Sequence, residues 1–306
     1  MHIFLANPRG FCAGVNMAIK MLEAALVRFG VPLYVYHEIV HNTWVVEDFR
    51  SRGVEFVDSI EEVPSGSRLM FSAHGVSPNI REMASRKNIE TIDATCPLVA
   101  RVHYEVLRYS ADGYKIILIG HGGHDEVIGT MNEAPESIIL VERESDIHRL
   151  QFKPDEKLVV LTQTTLSVTE TKSMIELLQK RFPNISGKSN ANICYATQHR
   201  QEAIATLAPL VDVVLIVGSE NSSNSKRLAE RGEALGVRSI LIDGAGNIDI
   251  GSFNGNERVL ISAGASAPEY VVQDCVKMLQ KNFNATVEEQ KTCPDQPSFQ
   301  LPPNLR

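Results

Sequence analysis

Three cysteines of this chain recur in one local setting, and that recurrence constrains the fold more than any other feature. Cys12, Cys96 and Cys194 each precede a stretch (15–26, 98–107 and 203–210) whose apolar residues are spaced for a helix with one buried face. Each is also followed by a polar loop at nearly equal distance: His41 lies 29 residues beyond Cys12, His124 28 beyond Cys96, and Ser222 28 beyond Cys194. A second element repeats in phase with the first. Segments 68–77, 157–167 and 258–266 are each a short apolar strand running into a loop of hydroxyls and small residues. One such segment resembles another in any α/β protein. Three copies in phase instead describe one α/β unit built three times, every copy giving a cysteine and two polar loops to a common centre. The units predicted are 1–96, 97–193 and 194–283, followed by a C-terminal tail, 284–306.

Length and composition narrow the class. At 306 residues the chain fits two or three domains better than a single core. With 43% hydrophobic and 22% charged residues, disordered and fibrous classes are excluded. A net charge of -7 is opposite to the basic excess of a nucleic-acid binder, so no nucleic-acid partner is expected. Five widely spread cysteines suit a reducing compartment, and hence a cytoplasmic protein. The opening run Met1-His2-Ile3-Phe4-Leu5-Ala6 is too short for a signal peptide and reads as the first strand. No run approaches the length of a membrane span, so no membrane partner is expected either. Segments 116–119 and 213–217 are continuous apolar runs, as in strands covered on both faces, and 225–235 has helical spacing. Small, mostly parallel sheets are therefore predicted. The stretch 292–306 carries four prolines and should be extended.

A cysteine at a helix amino terminus has its thiolate favoured by the helix dipole and the free backbone amides, and the thiolate is the form that binds metal. Three thiolates together hold zinc or an iron–sulfur cluster. Without close Cys-x-x-Cys pairs, spacing does not choose between them. Three ligands on a four-iron cube would leave one iron open to substrate, as a Lewis acid and electron conduit. The bland alternative is three buried structural thiols. Cys275, on an apolar helix face, and Cys293, beside Pro294, fall outside the repeat and read as structural.

The loops supply the other half of a site. His37-Glu38-Ile39-Val40-His41-Asn42, Ser72-Ala73-His74-Gly75 and Gly120-His121-Gly122-Gly123-His124-Asp125-Glu126 are histidine-rich, where the third unit offers Gly218-Ser219-Glu220-Asn221-Ser222-Ser223-Asn224-Ser225 and Ser262-Ala263-Gly264-Ala265-Ser266. Imidazoles, hydroxyls, amides and helix amino termini arranged this way make a cage for phosphate or diphosphate. A histidine against phosphate is favoured in its charged form. Glu126, two residues after His124, is the natural proton donor if it faces the same cavity, with Asp125 as its adjacent competitor.

Six motifs, in order, carry a family resemblance across nearly the whole chain: Asn7-Pro8-Arg9-Gly10-Phe11-Cys12-Ala13-Gly14-Val15, His37 to Asn42, Ser72 to Val76, Asp93-Ala94-Thr95-Cys96-Pro97-Leu98, Gln163-Thr164-Thr165-Leu166-Ser167 and Gly264-Ala265-Ser266-Ala267-Pro268. They resemble the 4-hydroxy-3-methylbut-2-enyl diphosphate reductase family, which performs the last step of non-mevalonate isoprenoid synthesis. The resemblance implies three pseudo-repeated α/β domains in a trefoil around a central [4Fe-4S] cluster held by Cys12, Cys96 and Cys194. It implies that His41, His74, His124, Ser222, Ser223, Asn224 and Ser266 bind the diphosphate, with Thr164 near the substrate hydroxyl and Glu126 in proton delivery. The implied reaction is reductive dehydroxylation of (E)-4-hydroxy-3-methylbut-2-enyl diphosphate to isopentenyl and dimethylallyl diphosphates, with ferredoxin or flavodoxin as electron donor. One departure stands out: Cys194-Tyr195-Ala196-Thr197 is followed by Gln198-His199-Arg200, where the family pattern has a threonine and an asparagine. No Gly-x-Gly-x-x-Gly nicotinamide fingerprint is present. Two rivals are separable by simple observations: a zinc hydrolase would be colourless and need no reductant, and a non-catalytic sensor would bind without turnover.

Overall fold

The computed structural model describes residues 1–187, 192–294 and 297–305. Strand and helix alternate from the start: β1 (His2–Asn7), α1 (Ala13–Phe29), β2 (Leu33–Tyr36), α2 (Thr43–Ser51), β3 (Val54–Val57), β4 (Arg68–Phe71), α3 (Pro78–Arg86) and β5 (Glu90–Asp93). The middle of the chain continues with α4 (Pro97–Ala111), β6 (Tyr114–Ile119), α5 (Asp125–Met131), β7 (Ile138–Val141), α6 (Glu144–Ile147), β8 (Lys157–Thr162) and α7 (Val168–Arg181). It ends with α8 (Tyr195–Leu207), β9 (Val213–Val217), α9 (Ser223–Ala234), β10 (Arg238–Ile242), β11 (Arg258–Ala263), α10 (Glu269–Phe283) and β12 (Thr286–Lys291). The three helices α1, α4 and α8 each begin one residue after a repeat cysteine, as predicted. The result is an α/β protein of three parallel sheets.

Contacts divide the chain into two compact units. The first comprises Met1–Asn16, Val40–Arg52 and Tyr195–Phe299, and holds the five-stranded sheet β10-β9-β11-β1-β12. Alternate residues of β9 serve opposite faces, as the two-residue strand period requires. Val213, Leu215 and Val217 pack with Val272 and Leu279 of α10, whereas Val214 and Ile216 pack with Ile204 of α8 and Leu228 of α9. Both faces are covered, which is why this run is apolar throughout.

The second unit comprises Met17–Ile39, Gly53–Cys194 and Gln300–Arg306, and holds the sheets β3-β2-β4-β5 and β7-β6-β8. Their cores are again continuous apolar sets: Leu69 and Phe71 with Ile60 and Ala84 in one sheet, and Ile117, Ile119 and Val160 with Ile175 and Leu178 in the other.

One strand order runs through all three sheets. The first strand of each set in chain order (β2, β6 or β9) lies between the second (β3, β7 or β10) and the third (β4, β8 or β11). Where such an order reverses, the loops leaving the carboxyl ends of the neighbouring strands part and open a crevice, the usual ligand site of parallel sheets. The loops at these reversals are 37–42 with 72–77, 120–124 with 163–167, and 218–222 with 264–268. These are the polar loops singled out by their residues.

Sheet membership does not follow chain order, however. β1 pairs in register with β11 (Ile3 opposite Val259) and with β12 (Ile3 opposite Val287), so the amino-terminal strand joins the last sheet, not the one that follows it in sequence. The tail is not extended throughout: Pro303–Leu305 forms a short 3-10 turn, which proline at the first position pre-sets. Positions 295, 296 and 306 lie outside the described residues. Leu301 and the buried Leu305 line a groove with Lys20, Glu23, Ala24, Val27 and Arg28 of α1, so the end of the tail packs on that helix. Among the described residues, no helix is long and apolar enough to cross a membrane.

Candidate active site

In the first unit the loop leaving β11 gathers three of the expected residues. The Cys12 amide donates to the Ala265 carbonyl at 3.1 Å, and the hydroxyl of the adjacent Ser266 donates to the His41 carbonyl at 2.8 Å. The Cys12 carbonyl accepts from the Asn16 amide at 2.8 Å, and its Sγ accepts from the Val15 amide at 3.5 Å. The sulfur therefore takes the place of a capping oxygen at the amino terminus of α1. Beyond His41, Asn42 caps α2 through its Oδ1, and the Thr43 amide donates to Ser219 Oγ at 3.1 Å, tying this loop to the one leaving β9.

Ser222 caps α9, accepting from the Ser225 amide at 3.3 Å and the Ser225 hydroxyl at 3.0 Å. Asn224, two residues on, is 4% exposed, and neither its amide nitrogen nor its oxygen has a partner. A buried polar group left in this way costs about 1–3 kcal/mol, which a ligand at the start of the helix would offset. A Cβ built on Gly264 would lie only 2.0 Å from Ser225 Oγ and 3.6 Å from Asn224 Nδ2, so glycine is what lets the two loops approach.

The second unit carries the acid group. Glu126 is 3% exposed, and its two carboxylate oxygens accept from Thr164, Oε1 from the amide at 2.7 Å and Oε2 from the hydroxyl at 2.9 Å. The Thr164 carbonyl in turn accepts the Cys194 amide at 3.1 Å. One threonine thus holds both a repeat cysteine and the candidate proton donor. His124 caps α5: its Nδ1 accepts from the Glu126 amide at 3.1 Å. Its ring stands edge-on to that of His74, with centroids 5.8 Å apart. Cys96 begins α4 with Pro97 at the first helical position, and its amide donates to the Ala73 carbonyl at 3.0 Å.

The neighbouring acid has other partners: Asp125 accepts from His37 Nδ1 at 2.8 Å, with its other oxygen 4.0 Å from His74 Nδ1. That hydrogen bond raises the His37 pKa above its ordinary value, against the opposing effect of burial. His37 also adopts φ +56°, a left-handed conformation uncommon for a residue with a side chain. Neither feature has a sequence signal beyond the presence of both residues in polar loops.

The three cysteine amides make one recurring bond. Their acceptors, Ala265, Ala73 and Thr164, are each the second residue past the end of the third strand of a sheet, β11, β4 or β8. Cys12 is thereby held by the last sheet, following β1. None of the three is in a disulfide and all are half-buried at helix starts, a soft donor set that fits three ligands of an iron–sulfur cluster as well as of zinc. Cys275 is different: burial pushes its thiol up to about 12, so it stays protonated among apolar side chains. Cys293 is half-buried, with its Sγ donating to the Pro294 carbonyl at 3.3 Å.

A family model described as LytB protein matches residues 3–280. The chain belongs to the LytB family. A relative from Rhodopirellula baltica is 54% identical over 306 residues, covering 100% of this chain and 96% of its own. One from Azoarcus sp. is 48% identical over 305 residues, covering 100% and 98%. Both are named 4-hydroxy-3-methylbut-2-enyl diphosphate reductase. Among solved structures, the E-1-hydroxy-2-methyl-but-2-enyl-4-diphosphate reductase from Plasmodium falciparum matches with a TM-score of 0.96 at 39% identity, covering 99% of this chain and 96% of that one. The resemblance read from the six motifs is borne out, and the chain is an enzyme of the LytB family.

Proposed function

We propose that this enzyme reduces (E)-4-hydroxy-3-methylbut-2-enyl diphosphate to isopentenyl and dimethylallyl diphosphates, with Cys12, Cys96 and Cys194 as ligands of a [4Fe-4S] cluster. The observation that carries this reading is Thr164, which binds both oxygens of Glu126 and the amide of Cys194. A buried acid is thereby anchored on the same residue as a metal-ligand candidate, as a reaction coupling electron supply to loss of a hydroxyl requires. When bound, the cluster supplies electrons and an open iron that draws on the substrate oxygen.

The chain's own residues do the rest. Ser222, Ser223, Asn224 and Ser266, together with His41, His74 and His124, grip the diphosphate through hydroxyl, amide and imidazole donors at helix amino termini. Asn224 is ready for this role, because its amide has no other partner. The Thr164 hydroxyl positions the substrate alcohol and orients Glu126, which gives a proton to the departing hydroxyl so that water leaves. Burial of Glu126 and Thr164 keeps bulk water from competing. The remaining allylic carbon skeleton takes a proton at either end, which yields the two products. A one-electron carrier, ferredoxin or flavodoxin, is the partner this chemistry needs.

Anaerobic reconstitution with iron and sulfide, followed by substrate and a one-electron reductant, tests the reading. A brown protein forming both products supports it. Turnover without reductant, or a colourless protein holding one zinc, overturns it.

A further inference from the structure

Of the three helices that begin at a repeat cysteine, α4 alone has an exposed face without a carboxylate. α1 exposes Glu23 beside the tail residues Leu301 and Leu305, and α8 exposes only Glu202 and Thr206. The buried side of α4, with Val99, Val102, His103 and Val106, follows the helical period. Every exposed position on the other side is apolar, aromatic or arginine. The solvent face of such a helix ordinarily carries charged and polar groups throughout. Here Tyr104 is 64% and Leu107 48% exposed, one turn apart, with Arg101 before them and Arg108 after. Tyrosine and arginine are the side chains that most often dominate the energetics of protein interfaces.

The two arginines are held in place. Arg101 Nε donates to Glu105 Oε1 at 3.0 Å, and the other oxygen of the half-buried Glu105 accepts from Asn192 Nδ2 at 2.6 Å. Arg101 is thereby oriented while its side chain stays 70% exposed. The guanidinium of Arg108 lies 4.4 Å from the centre of the Tyr109 ring. Side chains fixed beforehand lose less freedom on binding, and the guanidinium fork matches a carboxylate.

Charge and position name the partner. The chain carries a net charge of -7, so a helix face with arginines and no exposed acid is a local exception, to which the positive amino-terminal end of the helix adds. An acidic protein is repelled by the chain at large and drawn to this face, which orients its approach. The face also begins at Cys96, the residue before the first turn of α4. With a rise of about 1.5 Å per residue, Arg101 and Tyr104 stand about 7.5 and 12 Å from Cys96 along the axis.

Resting on the function proposed above, we propose that the outer face of α4 is the docking surface for the electron donor, a small acidic one-electron carrier protein. Its carboxylates meet Arg101 and Arg108, and Tyr104 and Leu107 fill the contact between them. Each turnover takes two encounters: two carriers are oxidised by one electron each, the substrate C–O bond breaks with those two electrons and two protons, and water leaves. Electron-transfer encounters bury less than about 1,200 Å², so one helix face can supply the centre of the contact.

Arg101→Glu with Arg108→Glu, and separately Tyr104→Ala, test the surface at exposed positions, with an acidic ferredoxin as the probe. In cluster-loaded protein at low ionic strength, the charge reversal should weaken ferredoxin binding by calorimetry, and raise the KM for reduced ferredoxin, by about tenfold or more, and should flatten the dependence of both on salt. Tyr104→Ala should weaken binding while keeping the salt dependence. Iron content, and turnover driven by reduced methyl viologen, should stay as in the parent. Unchanged ferredoxin affinity in the charge reversal overturns the proposal. So does an equal fall with ferredoxin and viologen, which would mark a role in the fold or at the cluster. Sedimentation of the parent and of Tyr104→Ala reads the remaining case: a dimer that the substitution splits would give this face to a second copy of the chain. If the parent makes product with viologen and the reversal leaves ferredoxin binding intact, only the docking surface fails. If the parent makes no product with either reductant, the function proposed above fails and takes the surface with it.

Discussion

Thr164 donates both its amide and its hydroxyl to the carboxylate of Glu126, at 2.7 and 2.9 Å, so the acid is aimed by the loop leaving β8 and not by its own loop. Glu126→Gln preserves an oxygen for the Thr164 amide but has no acid proton to give. Its turnover should fall by about two orders of magnitude or more, with cluster and substrate binding retained. Asp125→Asn should be much milder, because Asp125 is turned toward His37. Steady-state assays under saturating reductant, with both products quantified, check this; near-normal turnover in Glu126→Gln would remove the residue from the reaction.

The cysteines divide by setting. Cys12→Ser, Cys96→Ser and Cys194→Ser should each lose or destabilise the cluster, because a hard hydroxyl is a poor iron ligand, and the parent should carry about four irons per chain. Cys275→Ala and Cys293→Ser should keep the full count. The buried, high-pKa Cys275 packs against apolar neighbours, so its loss should appear as lower thermal stability and not as lost iron. Iron and sulfide analysis beside visible spectra separates the two groups, and equal sensitivity at all five positions would contradict it.

How much of this was legible beforehand depends on the range of the signal. Apolar runs such as 213–217 and the cysteine–helix junctions are local, and they read correctly as β9 and as the starts of α1, α4 and α8. The order of the motifs likewise identified the family. Pairing of β1 with β11 is long-range, and nothing in either strand names its partner, so chain order misled: the first strand belongs with the last sheet. β12 escaped notice because Thr286–Lys291 is an edge strand with all six residues wholly or partly exposed, which leaves no hydrophobic alternation to read. The site shows the same division. Histidines, serines and Glu126 were visible as residue types in polar loops, whereas the different partners of Glu126 and Asp125, Thr164 for one and His37 for the other, depend on side-chain direction, which spacing does not encode.

The His37–Asp125 pair makes a pH-dependent contribution whose sign follows from the direction of the shift. Hydrogen bonding to Asp125 raises the folded-state pKa of His37 above 6.5. Its stabilisation is therefore full below the unfolded value and is lost as pH rises through the raised folded value. Asp125→Asn should destabilise the protein at about pH 5.5 and have almost no effect at about pH 9. The pair is partly exposed, so the difference should stay below about 1 kcal/mol. Urea unfolding at both pH values measures it, and NMR titration of the His37 ring should show its midpoint falling in the variant. A larger loss at the higher pH would reverse the sign and refute the account.

Asn224 offers the sharpest separation of stability from function. Its side-chain nitrogen and oxygen are buried and have no hydrogen-bond partner in the chain, at the start of a helix whose cap, Ser222, is already satisfied by Ser225. Such a group is a cost to folding, and removing it should be neutral or stabilising, because no bond is broken and an unsatisfied amide disappears. Asn224→Ala should therefore match or exceed the parent in thermal stability without ligand, less a small term for the cavity left behind. Binding should move the other way. If the amide donates to the diphosphate, inorganic pyrophosphate should bind more weakly by about 1–3 kcal/mol, the worth of a hydrogen bond to a charged acceptor. Calorimetric titration with pyrophosphate, run beside thermal melts of the same samples, reads both quantities. A variant that loses stability yet binds pyrophosphate as tightly as the parent would show that Asn224 serves the fold, and would place the diphosphate away from the amino terminus of α9.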